Sequence, residues 1–134
     1  KLVDYLILNE IEAAAAYENV FKKTAPDAEQ TALALAQKTG GACLITLGGD
    51  GALAARDGKT VKVSCLKIRP VDTTGAGDAF VGIFGAMIDE SMALSDAMRY
   101  ASAGAGLACL KTGAQEGLPA REQIEEKIGE IRLS

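Results

Sequence analysis

The residues best suited to chemistry lie in one glycine-rich stretch at 72–80, which reads Asp-Thr-Thr-Gly-Ala-Gly-Asp-Ala-Phe. An extended-looking run precedes it at 66–71, and apolar residues follow it at the three- and four-residue spacing of a helix. Those helical positions are Phe80, Ile83, Phe84, Met87 and Ile88. The stretch is therefore predicted to form a turn between a strand and a helix.

The start of this helix is predicted to bind an anion. Gly75, Ala76 and Gly77 carry little or no side chain, so a bound group can approach the first amides of the helix, which lack internal partners. The helix dipole favours phosphate there and favours the ionised form of Asp78, which can then accept a proton. This arrangement suits transfer of a phosphoryl group to a hydroxyl. A structural interpretation stays open, in which Thr74 caps the helix and the other residues only form the turn.

The composition is that of one globular domain. The chain has 134 residues, of which 49% are hydrophobic and 24% are charged. No apolar run reaches the ~18 residues of a membrane span, and no signal peptide opens the sequence. We therefore expect a cytoplasmic protein that binds no membrane.

Charge and residue usage exclude several function classes. The net charge of -4 and the lack of a basic patch argue against nucleic-acid binding. The chain has no histidine, so Ser-His-Asp and Cys-His catalysis are excluded and a carboxylate is the expected proton acceptor. Cys43, Cys65 and Cys109 are widely spaced in apolar runs, which predicts buried thiols and neither a zinc cluster nor a disulfide framework.

The N-terminal part of the chain alternates between strand and helix patterns. It predicts strands at 3–8 and 42–47, and helices at 13–17 and 27–38. Asn9 and Glu12 match a capping box, a structural role that is sufficient to explain both residues. The order of strand, helix and strand predicts a right-handed crossover between parallel neighbours.

A second glycine-rich turn follows at 46–51, with the sequence Thr-Leu-Gly-Gly-Asp-Gly. It stands at the end of a buried strand, where open α/β sheets bind ligands, although a tight turn alone would need the same residues. Asp57-Gly58 then predicts a hairpin that pairs 52–56 with 60–65 at the edge of the sheet.

Three helices are predicted in the C-terminal part. The first ends near Glu90, the second covers 97–110 after a start at Ser95-Asp96, and the last covers 120–131. The second is rich in Ala, Gly and Ser, which allows close approach of another helix or of a flat ligand. A loop rich in backbone oxygens separates the last two helices at 111–119. The apolar face of the last helix is Leu118, Ile124, Ile128 and Ile131.

Three ordered strings resemble the motifs of the ribokinase-like (PfkB-type) carbohydrate kinases. They are the stretch at 72–80, Asn-x-x-Glu at 9–12 and Thr-Leu-Gly-x-x-Gly at 46–51. The resemblance implies an α/β fold, a three-layer α/β/α sandwich with a mostly parallel sheet and an antiparallel edge hairpin. It covers residues 1–134 as a single C-terminal nucleotide-binding portion, without the sugar-binding half and the lid. Since strand 3–8 would then have an unpaired side, we expect a proteolytic or engineered piece, or a chain without its partner half.

The resemblance also implies ATP and magnesium as cofactors. Asp78 would be the catalytic base, the amides of Gly75, Ala76 and Gly77 would form the anion hole, and Glu12 would hold magnesium through water. The implied nucleotide neighbours are Asn9, Thr46, Leu47, Gly48, Gly49, Asp50, Gly51, Gly77, Asp78 and Ser102. Among them, Ser102 lies about where the family's adenine neighbour falls. A potassium ion would fix the shape of the anion hole without touching substrate. Its implied neighbours are Asp72, Thr74, Ala108, Lys111, Gly113 and Gly117.

The implied acceptor is a small-molecule sugar, and the implied assembly is a homodimer formed through the sugar-binding half. The residues Gly113-Ala114-Gln115, followed by Leu118-Pro119, most resemble members that convert D-ribose to ribose 5-phosphate. Fructose, another sugar or a nucleoside stays open, as does a non-catalytic nucleotide-binding or dimerising module. A dinucleotide-dependent oxidoreductase is disfavoured, because 75–77 lacks the third glycine of that fingerprint.

Overall fold

The computed structural model describes residues 4–67, 75–110 and 119–134. The elements in this part of the chain are β1 (Tyr5–Asn9), α1 (Glu10–Phe21), α2 (Ala28–Thr39), β2 (Ala42–Thr46), β3 (Ala52–Arg56), β4 (Lys59–Val63), α3 (Ala76–Asp89), α4 (Leu94–Ala108) and α5 (Arg121–Lys127), with short 3-10 helices at Gly48–Asp50 and Ile128–Glu130. The chain divides into two compact units, Lys1–Lys62 and Val63–Ser134. None of the helices described has the length and apolar character needed to cross a membrane.

The four strands form one mixed sheet in the order β1-β2-β3-β4. β1 and β2 pair in parallel, with Asn9 opposite Thr46, whereas β2 and β3 are antiparallel. Because parallel neighbours end at the same edge of a sheet, Asn9 and Thr46 lie side by side at the carboxyl ends of their strands. The predicted α/β class and the parallel pairing of the first two strands are confirmed.

Both helices of the first unit begin at capped residues. The Asn9 side-chain oxygen accepts a hydrogen bond from Glu12 N–H at 2.8 Å, and Glu12 Oε1 accepts one from Asn9 N–H at 3.0 Å. The predicted capping box is thus confirmed, and α1 runs well beyond the predicted 13–17. Asp27 caps α2 through Gln30 N–H at 2.8 Å, and Gly40 ends it with φ 79, as the sequence predicts.

The core of the first unit lies between α1, α2 and one face of the sheet. Its buried members are Ala13, Ala32, Leu35, Ala36, Cys43, Ile45, Leu53 and Ala55. Burial raises the pKa of the Cys43 thiol to about 11, because the thiolate would lose its hydration. Of the three cysteines only Cys43 is fully buried, and the prediction of buried thiols was wrong for the half-buried Cys65 and Cys109.

The hairpin turns at Asp57 and Gly58, whose φ angles are 55 and 78. Two successive positive φ values match the turn that Asp-Gly favours, so the predicted hairpin is confirmed. β4 ends at Val63, earlier than predicted. Beyond it, Ser64 N–H donates instead to the carbonyl oxygen of Arg132 at 2.8 Å.

The second unit is built around the packing of α3 on α4. Phe80, Ile83, Phe84 and Met87 are buried along one face of α3, as their spacing predicts. On α4, a Cβ built on Gly104 would lie 2.1 Å from Ile83 Cδ1 and 3.2 Å from Ile124 Cδ1. Close helix packing, one of the two interpretations of the small residues, is therefore confirmed at this position.

An exposed polar cluster joins α5 to its neighbours. Arg121 pairs with Glu90, directly after α3, and with Glu125 at 3.3 Å. Tyr100 of α4 donates a hydrogen bond to Glu125 at 3.0 Å. Each of these exposed contacts contributes little by itself, so the buried apolar packing supplies most of the unit's stability.

Two helix boundaries differ from the sequence predictions. α4 begins at Leu94 after the extended residue Ala93, so Ser95-Asp96 lies inside the helix and does not start it. α5 ends at Lys127, because the chain tightens into a 3-10 turn and becomes extended at Ile131, where φ is -90 and ψ is 121. On the predicted apolar face, Ile124 and Ile131 are buried, whereas Leu118 lies outside the described residues.

The contact at Gly104 predicts a large effect of side-chain volume. Gly104→Val should lower the free energy of unfolding by about 1–3 kcal/mol, because its methyl groups would overlap Ile83 in a close-packed interior. The measurement is urea unfolding followed by circular dichroism. Gly85→Val on the open face of α3 is the control, since a Cβ there meets nothing within 4 Å. Equal destabilisation by both variants would contradict the close contact.

Candidate active site

The first backbone amides of α3 have no partner inside the helix. Gly75 precedes the helix with φ 84, a left-handed conformation that a side chain would disfavour, and no described side chain caps the helix. The first intrahelical hydrogen bond runs from Ala79 N–H to Gly75 O at 2.9 Å. The amides of Ala76, Gly77 and Asp78 therefore have no partner inside the helix and can donate to an anion.

The side chain of Asp78 is exposed beside these amides. No described residue forms a hydrogen bond or an ion pair with its carboxylate, and a Cβ built on Gly77 would meet nothing within 4 Å. A solute can therefore reach the amides and the carboxylate together. An Asp78 turned into the interior would have excluded proton transfer to it. The cap position belongs to Gly75, and Thr74, named in the structural interpretation, lies outside the described residues.

The first unit brings three predicted residues to one edge of its sheet. Asn9 ends β1 opposite Thr46 of β2, and Glu12 lies in the first turn of α1. The hydrogen bond to Asn9 occupies Oε1 of Glu12. The second carboxylate oxygen is outside the capping box, so capping and binding of a water-ligated cation are compatible in this side chain.

The second glycine-rich turn folds tightly after β2. Leu47 N–H donates to Gly51 O at 2.8 Å, and a 3-10 turn fills the space between these residues. Gly48 and Gly51 have φ 60 and 93, values that favour glycine at both positions. Gly48, Gly49 and Asp50 are exposed at the tip. The turn is thus reachable from solvent, and its contact with a nucleotide stays a prediction.

Ser102 has a structural partner that the sequence did not reveal. Its side chain is buried in α4, and its Oγ donates to the carbonyl oxygen of Ser64 at 2.6 Å. Ser64 Oγ in turn accepts a hydrogen bond from Arg132 N–H at 2.8 Å. No local pattern predicts pairing over such sequence separations, so Ser64 and Arg132 were not foreseen. The contact of Ser102 with a nucleotide stays a prediction.

Most of the predicted potassium site lies outside the described residues. Asp72, Thr74, Lys111, Gly113 and Gly117 fall there, and only Ala108 is described, as the last residue of α4. In the part of the chain that the structure describes, no group of three or more His, Cys, Asp or Glu side chains could hold a metal ion.

The described groups fit a nucleotide polyphosphate and its magnesium ion. Free amides and glycine-rich turns suit phosphate oxygens, and a single carboxylate suits magnesium, which keeps most of its water ligands. The amides of α3 belong to the second unit, whereas Glu12 and the turn after β2 belong to the first. Each unit thus carries groups that suit a part of this ligand: phosphate oxygens in both units, and magnesium in the first.

Comparisons with known proteins give one consistent family. The model of the pfkB family carbohydrate kinases matches residues 1–121. The chain is 32% identical to a ribokinase of Lactococcus lactis over 133 residues, which are 98% of this chain and 41% of the relative. The chain therefore spans less than half the length of this curated relative.

Solved structures agree on the fold. A ribokinase from Thermotoga maritima superposes with a TM-score of 0.85 at 30% identity, over 95% of this chain and 42% of that protein. A ribokinase from Arabidopsis thaliana, solved with ribose and ATP, gives a TM-score of 0.78 at 28% identity, over 94% of this chain and 41% of that one. The predicted ribokinase-like α/β fold is confirmed by these matches.

The capping box predicts different effects for its two members. Asn9→Ala should lower the free energy of unfolding by about 1 kcal/mol, because the helix loses its side-chain cap. Glu12→Gln should change it by less than about 0.5 kcal/mol, since an amide oxygen can still accept from Asn9 N–H. Thermal and urea unfolding of both variants provide the measurement. If Glu12→Gln were as destabilising as Asn9→Ala, charge and not the hydrogen bond would stabilise this turn.

Proposed function

Because this chain belongs to the pfkB family of carbohydrate kinases, we propose that it forms the nucleotide-binding part of an enzyme that phosphorylates a sugar hydroxyl with ATP. D-ribose is the proposed acceptor, and ribose 5-phosphate is the product. The similarity to ribokinases over almost the whole of this chain supports that choice. Fructose, another sugar or a nucleoside is the alternative, since no described residue distinguishes these acceptors.

The observation that carries the proposal is the start of α3. There three amides have no partner inside the helix, and the exposed carboxylate of Asp78 stands beside them. Amide donors fixed in position can stabilise the charge that develops on a phosphoryl group during transfer. A carboxylate next to them can take the proton of the attacking hydroxyl.

The mechanism follows from these two groups. When bound, ATP supplies the phosphoryl group and magnesium neutralises its negative charge. The Asp78 carboxylate would accept the hydroxyl proton as the sugar oxygen forms its bond to the γ-phosphorus and the bond from that phosphorus to the bridging oxygen breaks, which releases ADP. The amides of 76–78 would donate to the oxygens of the transferred group. In the first unit, Asn9 and the turn at 46–51 would bind the polyphosphate, and the free oxygen of Glu12 would hold a water ligand of magnesium.

Three further features belong to the proposal. Potassium would be held by backbone oxygens near Ala108 and by residues outside the described part, and it would stabilise the anion hole without contacting the sugar. The protein is proposed to work in the cytoplasm. It is also proposed to form a homodimer through the sugar-binding half that its relatives contain.

Replacement of Asp78 tests the proposed proton acceptor. Asp78→Asn in the complete gene product should lower kcat at least about a hundredfold, because the amide cannot take the proton. ATP affinity, measured by calorimetry, should change by less than about threefold, since the backbone amides remain. Asp96→Asn is the matched control, because Asp96 is also an exposed first-turn carboxylate, on α4. An unchanged turnover in Asp78→Asn would contradict the catalytic role and favour a non-catalytic nucleotide-binding module.

A panel of acceptors tests the reaction itself. The complete gene product is incubated with ATP, magnesium and D-ribose, D-fructose, other sugars or nucleosides, with and without potassium. We expect the highest kcat/KM with D-ribose and a higher rate with potassium. Faster phosphorylation of another acceptor would show that this compound, and not D-ribose, is the substrate. ATP binding without phosphorylation of any acceptor would overturn the kinase assignment.

A further inference from the structure

Ser64 is the residue at which three segments of the second unit are hydrogen-bonded together. Its N–H donates to Arg132 O, and its Oγ accepts from Arg132 N–H, both at 2.8 Å. Its carbonyl oxygen accepts from Ser102 Oγ of α4 at 2.6 Å. An antiparallel bridge between Val63 and Leu133 adds to this attachment. The chain at 63–64 is therefore fixed both to α4 and to 132–133.

Helix α4 also contacts one residue before residues 68–74 and one residue after them. A Cβ built on Gly106 would lie 3.0 Å from Leu66 Cδ1, so Leu66 packs directly on the backbone of α4. The contact of Gly104 with Ile83 of α3 is closer, since a Cβ there would lie 2.1 Å from Ile83 Cδ1. Two positions of α4 thus contact the segment before residues 68–74 and the helix after them.

We propose that Ser102 is a positioning residue for phosphoryl transfer, which acts by holding Ser64 against α4, the helix on which both Leu66 and Ile83 of α3 pack. This inference rests on the proposed function. It differs from the role that the sequence resemblance implies for Ser102, which is contact with adenine. The hydroxyl hydrogen of Ser102 is already donated to Ser64, inside the protein.

The burial of Ser102 favours the positioning role. Ser102 is 4% exposed, and its hydroxyl has one hydrogen to donate. A base would have to displace the packing around α4 to reach the remaining lone pairs. Removal of the hydroxyl, in contrast, leaves the half-buried carbonyl oxygen of Ser64 without its donor, and the backbone there must shift or accept water.

Kinetics of Ser102 and Ser64 variants distinguish the positioning role of Ser102 from contact with adenine. Ser102→Ala removes the donor to Ser64 O, and Ser64→Ala removes the acceptor of Arg132 N–H. Each variant should lower kcat for sugar phosphorylation by roughly two- to tenfold, the range expected from the loss of one hydrogen bond that holds Ser64. The KM for ATP and the preference for ATP over GTP should stay unchanged in both. The double variant should lose less than the product of the single effects, because both act through one network. Ser95→Ala, in the first turn of α4, is the matched control and should behave like the wild type.

Hydrogen exchange measured by mass spectrometry supplies a readout that does not depend on activity. In Ser102→Ala, amides of 75–89 should exchange faster than in the wild type under conditions where global unfolding is not limiting, whereas 28–39 should be unchanged. This experiment decides the inference even if the complete gene product phosphorylates no sugar, which would overturn only the proposed function.

Two results would overturn the positioning role. One is a raised KM for ATP with a changed nucleotide preference in Ser102→Ala alone, which would indicate adenine contact. The other is unchanged exchange at 75–89 in Ser102→Ala, because the hydrogen bond to Ser64 would then not restrain α3.

Discussion

Unpaired amides at the start of a helix are effective only when the helix cannot move away from the charge they bind. In this chain the amides of 76–78 have no partner inside the helix because they are its first donors, and the helix behind them is held by packing against α4. Donors that are already oriented need no reorganisation when charge develops, which is the source of their catalytic value. The rest of the second unit can be understood as a support for that one helix terminus.

The support depends on the absence of side chains at two positions of α4. Glycine inside a helix costs up to about 1 kcal/mol relative to alanine, so Gly104 and Gly106 are unfavourable for α4 taken alone. Their benefit is tertiary, because a Cβ at Gly104 would overlap Ile83 and a Cβ at Gly106 would crowd Leu66. Local helix stability is thus lower in exchange for closer packing around the turn.

Sequence reasoning located the features that depend on neighbouring residues. The capping box at Asn9, the Asp57-Gly58 turn, the glycine stop of α2 and the buried face of α3 each follow from a few adjacent side chains. It failed where the deciding interaction is remote. The early end of α5 and of β4 accompanies the pairing of Ser64 with Arg132, which no local pattern encodes.

The candidate site repeats this division between local and remote causes. The open amides of α3 and the exposed Asp78 follow from the order of glycines and one acid in a first turn, so sequence alone predicts them. Because Ser102 is small and lies in a helix, the sequence left both an adenine contact and a packing role open. The choice between them requires the identity of its hydrogen-bond partner. The partner, Ser64 O, lies 38 residues earlier in the chain. A serine in a helix that packs closely satisfies its hydroxyl inside the protein before it meets solvent, and that favours a part in holding the site over a part in binding the base.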